Sequence, residues 1–301
     1  SVKGMTLDEA VNAMRGPPGT TIVLTIIRQG VDGPLEVAVV RDVIRVASVK
    51  QQVLEDGFGY VRITQFQAQT GTDFEKALVK LQKGNPAGVK GVVLDLRNNP
   101  GGVLQAAVEV ADALLEEGLI VYTEGRIKSS RLRFTSSPGD VLQGAPVVVL
   151  INAGSASASE IVAGALQDQK RALIMGEASF GKGSVQTILP LDEEYGLKLT
   201  TARYFTPNGR SIQALGIVPD IEVKRARLTE LSTQPLFKES DLSGHLSNGD
   251  NEKENEDAAP VESGKPVDSV KLEPGQEMIE KDYQLREAFN LLKGLSIMKA
   301  A

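Results

Sequence analysis

Apolar residues between positions 46 and 224 recur in two alternating patterns. Runs such as 89–96 and 146–151 are apolar almost throughout, which predicts strands covered on both faces. Segments 60–64, 119–122, 172–175, 185–189 and 198–204 read as further strands. Segments 72–81, 103–115 and 158–166 instead repeat at helical spacing. Strands alternating with helices predict an α/β domain whose sheet is covered by helices. Ligand chemistry in such sheets collects where strands end and helices begin.

Residues 1–42 differ in style. Thr6 followed by Glu9 offers a reciprocal helix cap, and Leu7, Val11 and Met14 form one apolar face. Gly16-Pro17-Pro18-Gly19 ends that helix, and two β-branched stretches follow at 21–27 and 35–40. The order resembles the second half of a PDZ domain, with the groove strand and carboxylate-binding loop lying upstream of Ser1. An α+β lid or oligomerisation element without a ligand is the competing reading. Residues 225–275 turn to Ser, Asn, Glu, Asp, Lys and Pro and predict a disordered or mobile linker. Apolar periodicity returns over 276–297, where Leu285, Phe289 and Leu292 share a helical face that must dock on its own domain or on another copy.

Composition narrows the chemistry. The 301 residues are 41% hydrophobic, enough for a large core, and carry a net charge of -6 with no basic stripe interleaved with aromatics, which argues against nucleic acid. No run of about 18 apolar residues is present, so no transmembrane segment is expected. The chain starts Ser-Val-Lys-Gly, without Met or the marks of a signal peptide, and reads as an interior fragment or a mature form. The absence of Cys excludes thiol catalysis, and the single His, His245, stands in a loop-like context, which disfavours a Ser-His-Asp triad or a zinc site.

Three segments at strand ends carry the candidate chemistry. In Asn152-Ala-Gly-Ser-Ala-Ser157-Ala158-Ser-Glu160 a nucleophile would gain from the free N–H groups of the following helix, although Ser157-x-x-Glu160 is also a capping box. In Phe180-Gly-Lys182-Gly-Ser-Val-Gln186 a lysine flanked by glycines can be approached closely and can act as a base where histidine is missing; an exposed turn lysine is the plain alternative. A phosphate loop fits less well, because the spacing fails and a strand follows. In Asp95-Leu-Arg-Asn-Asn-Pro-Gly101-Gly102 glycines let backbone N–H groups approach a substrate oxygen, or simply make a turn.

Taken in order and spacing, the three segments resemble the carboxy-terminal processing (tail-specific) proteases, and the likeness runs over about residues 1–224. The resemblance implies a crotonase/ClpP-like protease core (46–224) with a truncated α+β PDZ domain at the N-terminus and a C-terminal helical segment. It implies Ser157 as nucleophile, Lys182 as general base, Gln186 orienting the amine, and the N–H groups of Gly102 and Ala158 as the oxyanion hole. No metal or organic cofactor is required. The segment from Tyr204 to Gly209 resembles part of the family's cleft wall. Protein or peptide substrates, including cell-wall hydrolases, a periplasmic location, an adaptor lipoprotein with helical repeats and a homo-oligomer through terminal helices are further expectations of the same resemblance. Two rivals make different predictions: a catalytically silent PDZ-type scaffold would bind peptide tails without cutting them, and a crotonase-type acyl-CoA enzyme would survive loss of Ser157.

Overall fold

The computed structural model describes residues 1–43, 47–85, 88–127, 131–192, 195–229, 238, 246 and 273–300. His245 and most of the 225–275 linker lie outside the described residues. The chain divides into two compact units, Ser1–Ala47 and Ser48–Ala301.

In the first unit, helix α1 (Leu7–Met14) starts at Thr6, where the expected reciprocal cap with Glu9 forms. Strands β1 (Thr21–Ile26) and β2 (Leu35–Val40) pair antiparallel, from Thr21 opposite Val40 to Ile26 opposite Leu35. Arg41 closes the unit by donating from Nε to the Met14 carbonyl at 2.8 Å and from Nη1 to Thr20 Oγ1 at 3.0 Å.

The second unit is built on β3 (Val49–Glu55), β4 (Phe58–Ile63), β5 (Gly91–Asp95), β8 (Val147–Ile151), β9 (Leu173–Gly176) and β12 (Ile221–Glu222), in the order β12-β9-β8-β5-β4-β3. All neighbours are parallel except the antiparallel edge pair β3–β4. Every residue of β5 and β8 is buried, as their unbroken apolar sequences require of strands covered on both sides. Val92, Leu94, Val147 and Val149 face helices α2 (Thr70–Lys83), α3 (Leu104–Asp112) and α4 (Ala158–Asp168). Val93, Val148 and Leu150 face the opposite way, onto Leu285, Ala288, Phe289 and Leu292. The C-terminal apolar face therefore docks on its own sheet. It belongs to two helices rather than one, α5 (Pro274–Lys281) and α6 (Tyr283–Ala300), because Asp282 leaves helical geometry and accepts from the Leu285 N–H at 3.1 Å to start α6.

The domain holds a second sheet that the sequence pattern does not announce. Strands β6 (Leu119–Gly125), β7 (Arg133–Thr135), β10 (Ser184–Pro190) and β11 (Gly196–Phe205) pair antiparallel in the order β10-β11-β6-β7. It brings the Lys182 segment to the sheet ends where the other two segments lie.

Candidate active site

The turn after β5 and the turn after β8 lock together through asparagine and serine side chains. Asn99 is buried; its amide donates to the Ile63 carbonyl at 2.9 Å and accepts from the Gly101 N–H at 2.9 Å. Its carbonyl receives the Ala156 N–H at 2.9 Å and the Ser159 hydroxyl at 3.0 Å. Asn152 accepts from the Asn98 N–H at 2.9 Å and donates back to the Asn98 side chain at 3.0 Å. The Ser155 hydroxyl donates to the Leu96 carbonyl at 2.8 Å.

Two of the three alternating serines thus use their hydroxyls to hold a neighbouring backbone. Ser157 does not. It sits opposite the Glu160 N–H as a capping-box residue would, but its hydroxyl makes no cap hydrogen bond; the Glu160 N–H is held by the Ser157 carbonyl at 2.9 Å. Ser157 has φ of 55° and ψ of -110°, a conformation that costs a non-glycine residue about 1–3 kcal/mol and that places its side chain at the tip of a strand-to-helix turn. Helix α4 behind it is buried over its first ten residues, so the turn rests on a rigid support.

Glu160, fully buried, ties this turn to the lysine segment. Its Oε2 accepts from the N–H of Ser157 at 2.7 Å and from the N–H of Lys182 at 2.9 Å. Its Oε1 accepts from the Gly181 N–H and from the Ser179 hydroxyl, both at 2.6 Å. A single oxygen atom therefore bridges the backbones of the two residues singled out as nucleophile and base. The Lys182 amine itself makes no hydrogen bond or ion pair within the described residues. The flanking glycines have a different reason from the one their sequence suggested. A Cβ on Gly181 would stand 3.1 Å from the Ala214 backbone and one on Gly183 2.4 Å from the Gln213 nitrogen, so both are required by the turn packed beneath them. The Tyr204 N–H donates to the Gly183 carbonyl at 2.7 Å, which places the 204–209 segment against the lysine loop.

Gly101 and Gly102 have φ of 97° and 145°; Gly101 lies against the other side of the serine turn and Gly102 against the Phe66 backbone. A Cβ on Gly101 would meet the Ala156 oxygen at 2.6 Å, the Ser157 Cβ at 2.8 Å and the Ala158 nitrogen at 2.9 Å. The N–H groups of Gly102 and Ala158 form no hydrogen bond within the described residues, and α4 begins at Ala158, so its first N–H groups have no partner inside the helix. Unpaired backbone donors of this kind can stabilise charge on an oxygen. Gln186, on β10, is exposed and its side chain does not hydrogen-bond to Lys182. Among the described residues no group of acidic or histidine side chains could hold a metal ion.

Residues 57–223 match peptidase family S41. A carboxy-terminal-processing protease of Bartonella bacilliformis is 48% identical over 295 residues, 97% of this chain and 65% of that protein. The carboxyl-terminal-processing protease of Synechocystis is 40% identical over 243 residues, 79% of this chain and 53% of its own. Among solved structures, the photosystem II D1 C-terminal processing protease superposes with a TM-score of 0.54 at 33% identity, covering 74% of this chain and 61% of that one. The chain spans between about half and two thirds of the length of these relatives. A family match over more than half of the residues, together with relatives that share nearly half of its sequence, establishes that the chain belongs to peptidase family S41.

Proposed function

We propose that this chain is the proteolytic part of a serine endopeptidase of the carboxy-terminal-processing type, with Ser157 as nucleophile and Lys182 as base. The observation that carries the reading is the selective freedom of Ser157. Its two serine neighbours donate their hydroxyls to backbone carbonyls, whereas the Ser157 hydroxyl faces the Glu160 N–H and donates to nothing, at a strained helix start whose backbone shares the Glu160 carboxyl with Lys182. In the reaction, the Lys182 amine takes the Ser157 proton as Oγ attacks a peptide carbonyl. The N–H groups of Gly102 and Ala158 hold the oxyanion. Lys182 then passes the proton to the departing amine, leaving an acyl-serine ester. Water, deprotonated by Lys182, attacks the ester and releases the acid and the free hydroxyl. Gln186 is assigned to orient the Lys182 amine, a role that requires its exposed side chain to turn toward Lys182 from the position it holds on β10.

The first unit is read as the second half of a PDZ domain, supported by its helix followed by a β1–β2 hairpin. Export to the periplasm, turnover of proteins such as cell-wall hydrolases, an adaptor lipoprotein with helical repeats and a homo-oligomer accompany this reading. No helix among the described residues is long and apolar enough to cross a membrane. Cleavage of an unfolded protein such as casein by the full-length protein, beside Ser157→Ala and Lys182→Ala, tests the assignment. Loss of cleavage in both variants is expected. Equal cleavage by all three would place the chemistry elsewhere, and no cleavage by any would favour a peptide-binding scaffold.

A further inference from the structure

We propose that the junction of the C-terminal helices is a positioning element of the proteolytic site: Asp282 and Gln284 hold Arg97 and, through it, the turn that carries the Gly102 N–H. The inference rests on the protease reading above. Arg97 directly follows Leu96 at the end of β5 and is buried. All five of its guanidinium donors are occupied. Nε donates to Asp95 Oδ1 at 3.0 Å, and Nη2 to Asp95 Oδ2 at 2.7 Å and Asp282 Oδ2 at 2.7 Å. Nη1 donates to Asp282 Oδ1 and to Gln284 Oε1, each at 3.0 Å. One carboxylate is local; the other is 185 residues away in sequence and forms the break between α5 and α6. Gln284 is fixed in turn by donating to the Val223 carbonyl at 2.6 Å.

From Arg97 the chain runs through Asn98 and Asn99 to Gly101 and Gly102. Arg97 is thus the anchor at the start of this turn and Asn99 the anchor in its middle. Burial alone would lower the Arg97 pKa, but the hydrogen bonds and charges of Asp95 and Asp282 outweigh it and keep it above its ordinary value. Docking of α6 does not need this network, since Leu285, Ala288, Phe289 and Leu292 already bury an apolar face. A largely buried ion pair adds little stability over a well-packed apolar contact, and its better-attested use is to fix one arrangement among several. A polar cleft of about 340 Å³, lined by Arg62, Asn98, Asn152 and Asp282 among others, opens beside the pair, so the Asp282 end is reachable from solvent.

The test compares Asp282→Asn with Leu292→Ala, which weakens the same helix by creating a cavity away from the site. Asp282→Asn is expected to lower kcat for casein about 10- to 100-fold with KM nearly unchanged, because a donor displaced by a fraction of an ångström loses most of its effect. Hydrogen exchange of the 96–103 segment should rise in that variant. Leu292→Ala should lower overall stability at least as much, yet leave kcat per folded molecule and exchange of that segment unchanged. A fall in kcat that tracks stability equally in both variants, or unchanged exchange in Asp282→Asn, would overturn the proposal. If the wild type cleaves nothing, it is the protease reading that fails, and the exchange comparison still decides the coupling.

Discussion

Replacing Glu160 with Gln keeps the shape of the side chain and removes one of its two acceptor oxygens. Four donors converge on the native carboxyl, those of Ser157 and Lys182 on Oε2 and those of Gly181 and Ser179 on Oε1. An amide NH2 cannot accept from any of them. The better of its two orientations puts the amide oxygen at the Oε2 position and preserves the bonds from Ser157 and Lys182. Ser179 can then turn to accept from the NH2 group, as it already accepts from the Ile217 N–H at 2.7 Å. The Gly181 N–H has no such option and is left facing a donor in a buried site, at a cost of about 1–3 kcal/mol. The reverse orientation orphans both Ser157 and Lys182 and costs about twice that. Urea unfolding should therefore report a loss of about 1–3 kcal/mol. Cleavage should fall by a larger factor, on the order of 100-fold, because the orphaned Gly181 releases the loop that carries Lys182. A variant within about 0.5 kcal/mol of wild type and within twofold in rate would refute the view that this carboxyl holds nucleophile and base in register.

Gly101→Ala forces a Cβ to 2.6 Å from the Ala156 oxygen at a φ of 97°, and cleavage should drop on the order of 100-fold or more as the oxyanion donors are pushed apart. Gly139→Ala, at φ of 129° with nothing within 4 Å of the added Cβ, should cost stability through backbone strain alone; equal rates for the two variants would contradict the assignment. Burial raises the Tyr60 phenol pKa, and the charge of Asp95, which accepts its hydroxyl at 2.7 Å, adds to the rise. The folded state keeps that proton after the unfolded chain has lost it, so this contribution is complete below about pH 10 and declines above it by about 1.4 kcal/mol per pH unit. Tyr60→Phe should flatten the alkaline fall in stability by that slope, and parallel curves for the two proteins would count against it.

Strands buried on both faces were plain in the sequence because burial demands an unbroken apolar run, as in Val147–Ile151. The edge strand Val49–Glu55 escaped notice, since an edge tolerates Lys50, Gln51 and Gln52 and shows no such run. The division into two sheets was hidden because pairing partners such as Phe205 and Tyr122 are distant in sequence. Three motifs announced the candidate site, yet they could not say how it is held. Glu160 read as a helix cap, and only the fold delivers the amides of Gly181 and Lys182 to it. Asp282 fell unremarked inside the single helix expected over 276–297, although an Asp three residues before an apolar Leu285 is a start signal that could have divided α5 from α6.

The sheet face covered by α6 has a history in time as well as in space. Gln284 follows Val223, beside the last strand, by 61 residues, so a ribosome working at roughly 5–20 residues per second needs about 3–12 s to produce the cover after the sheet is complete. In a chain that folds as it is made, Tyr60, Val93, Val148 and Leu150 would present an apolar surface during that interval. Wherever folding takes place, that surface stays uncovered until Leu285, Phe289 and Leu292 dock on it.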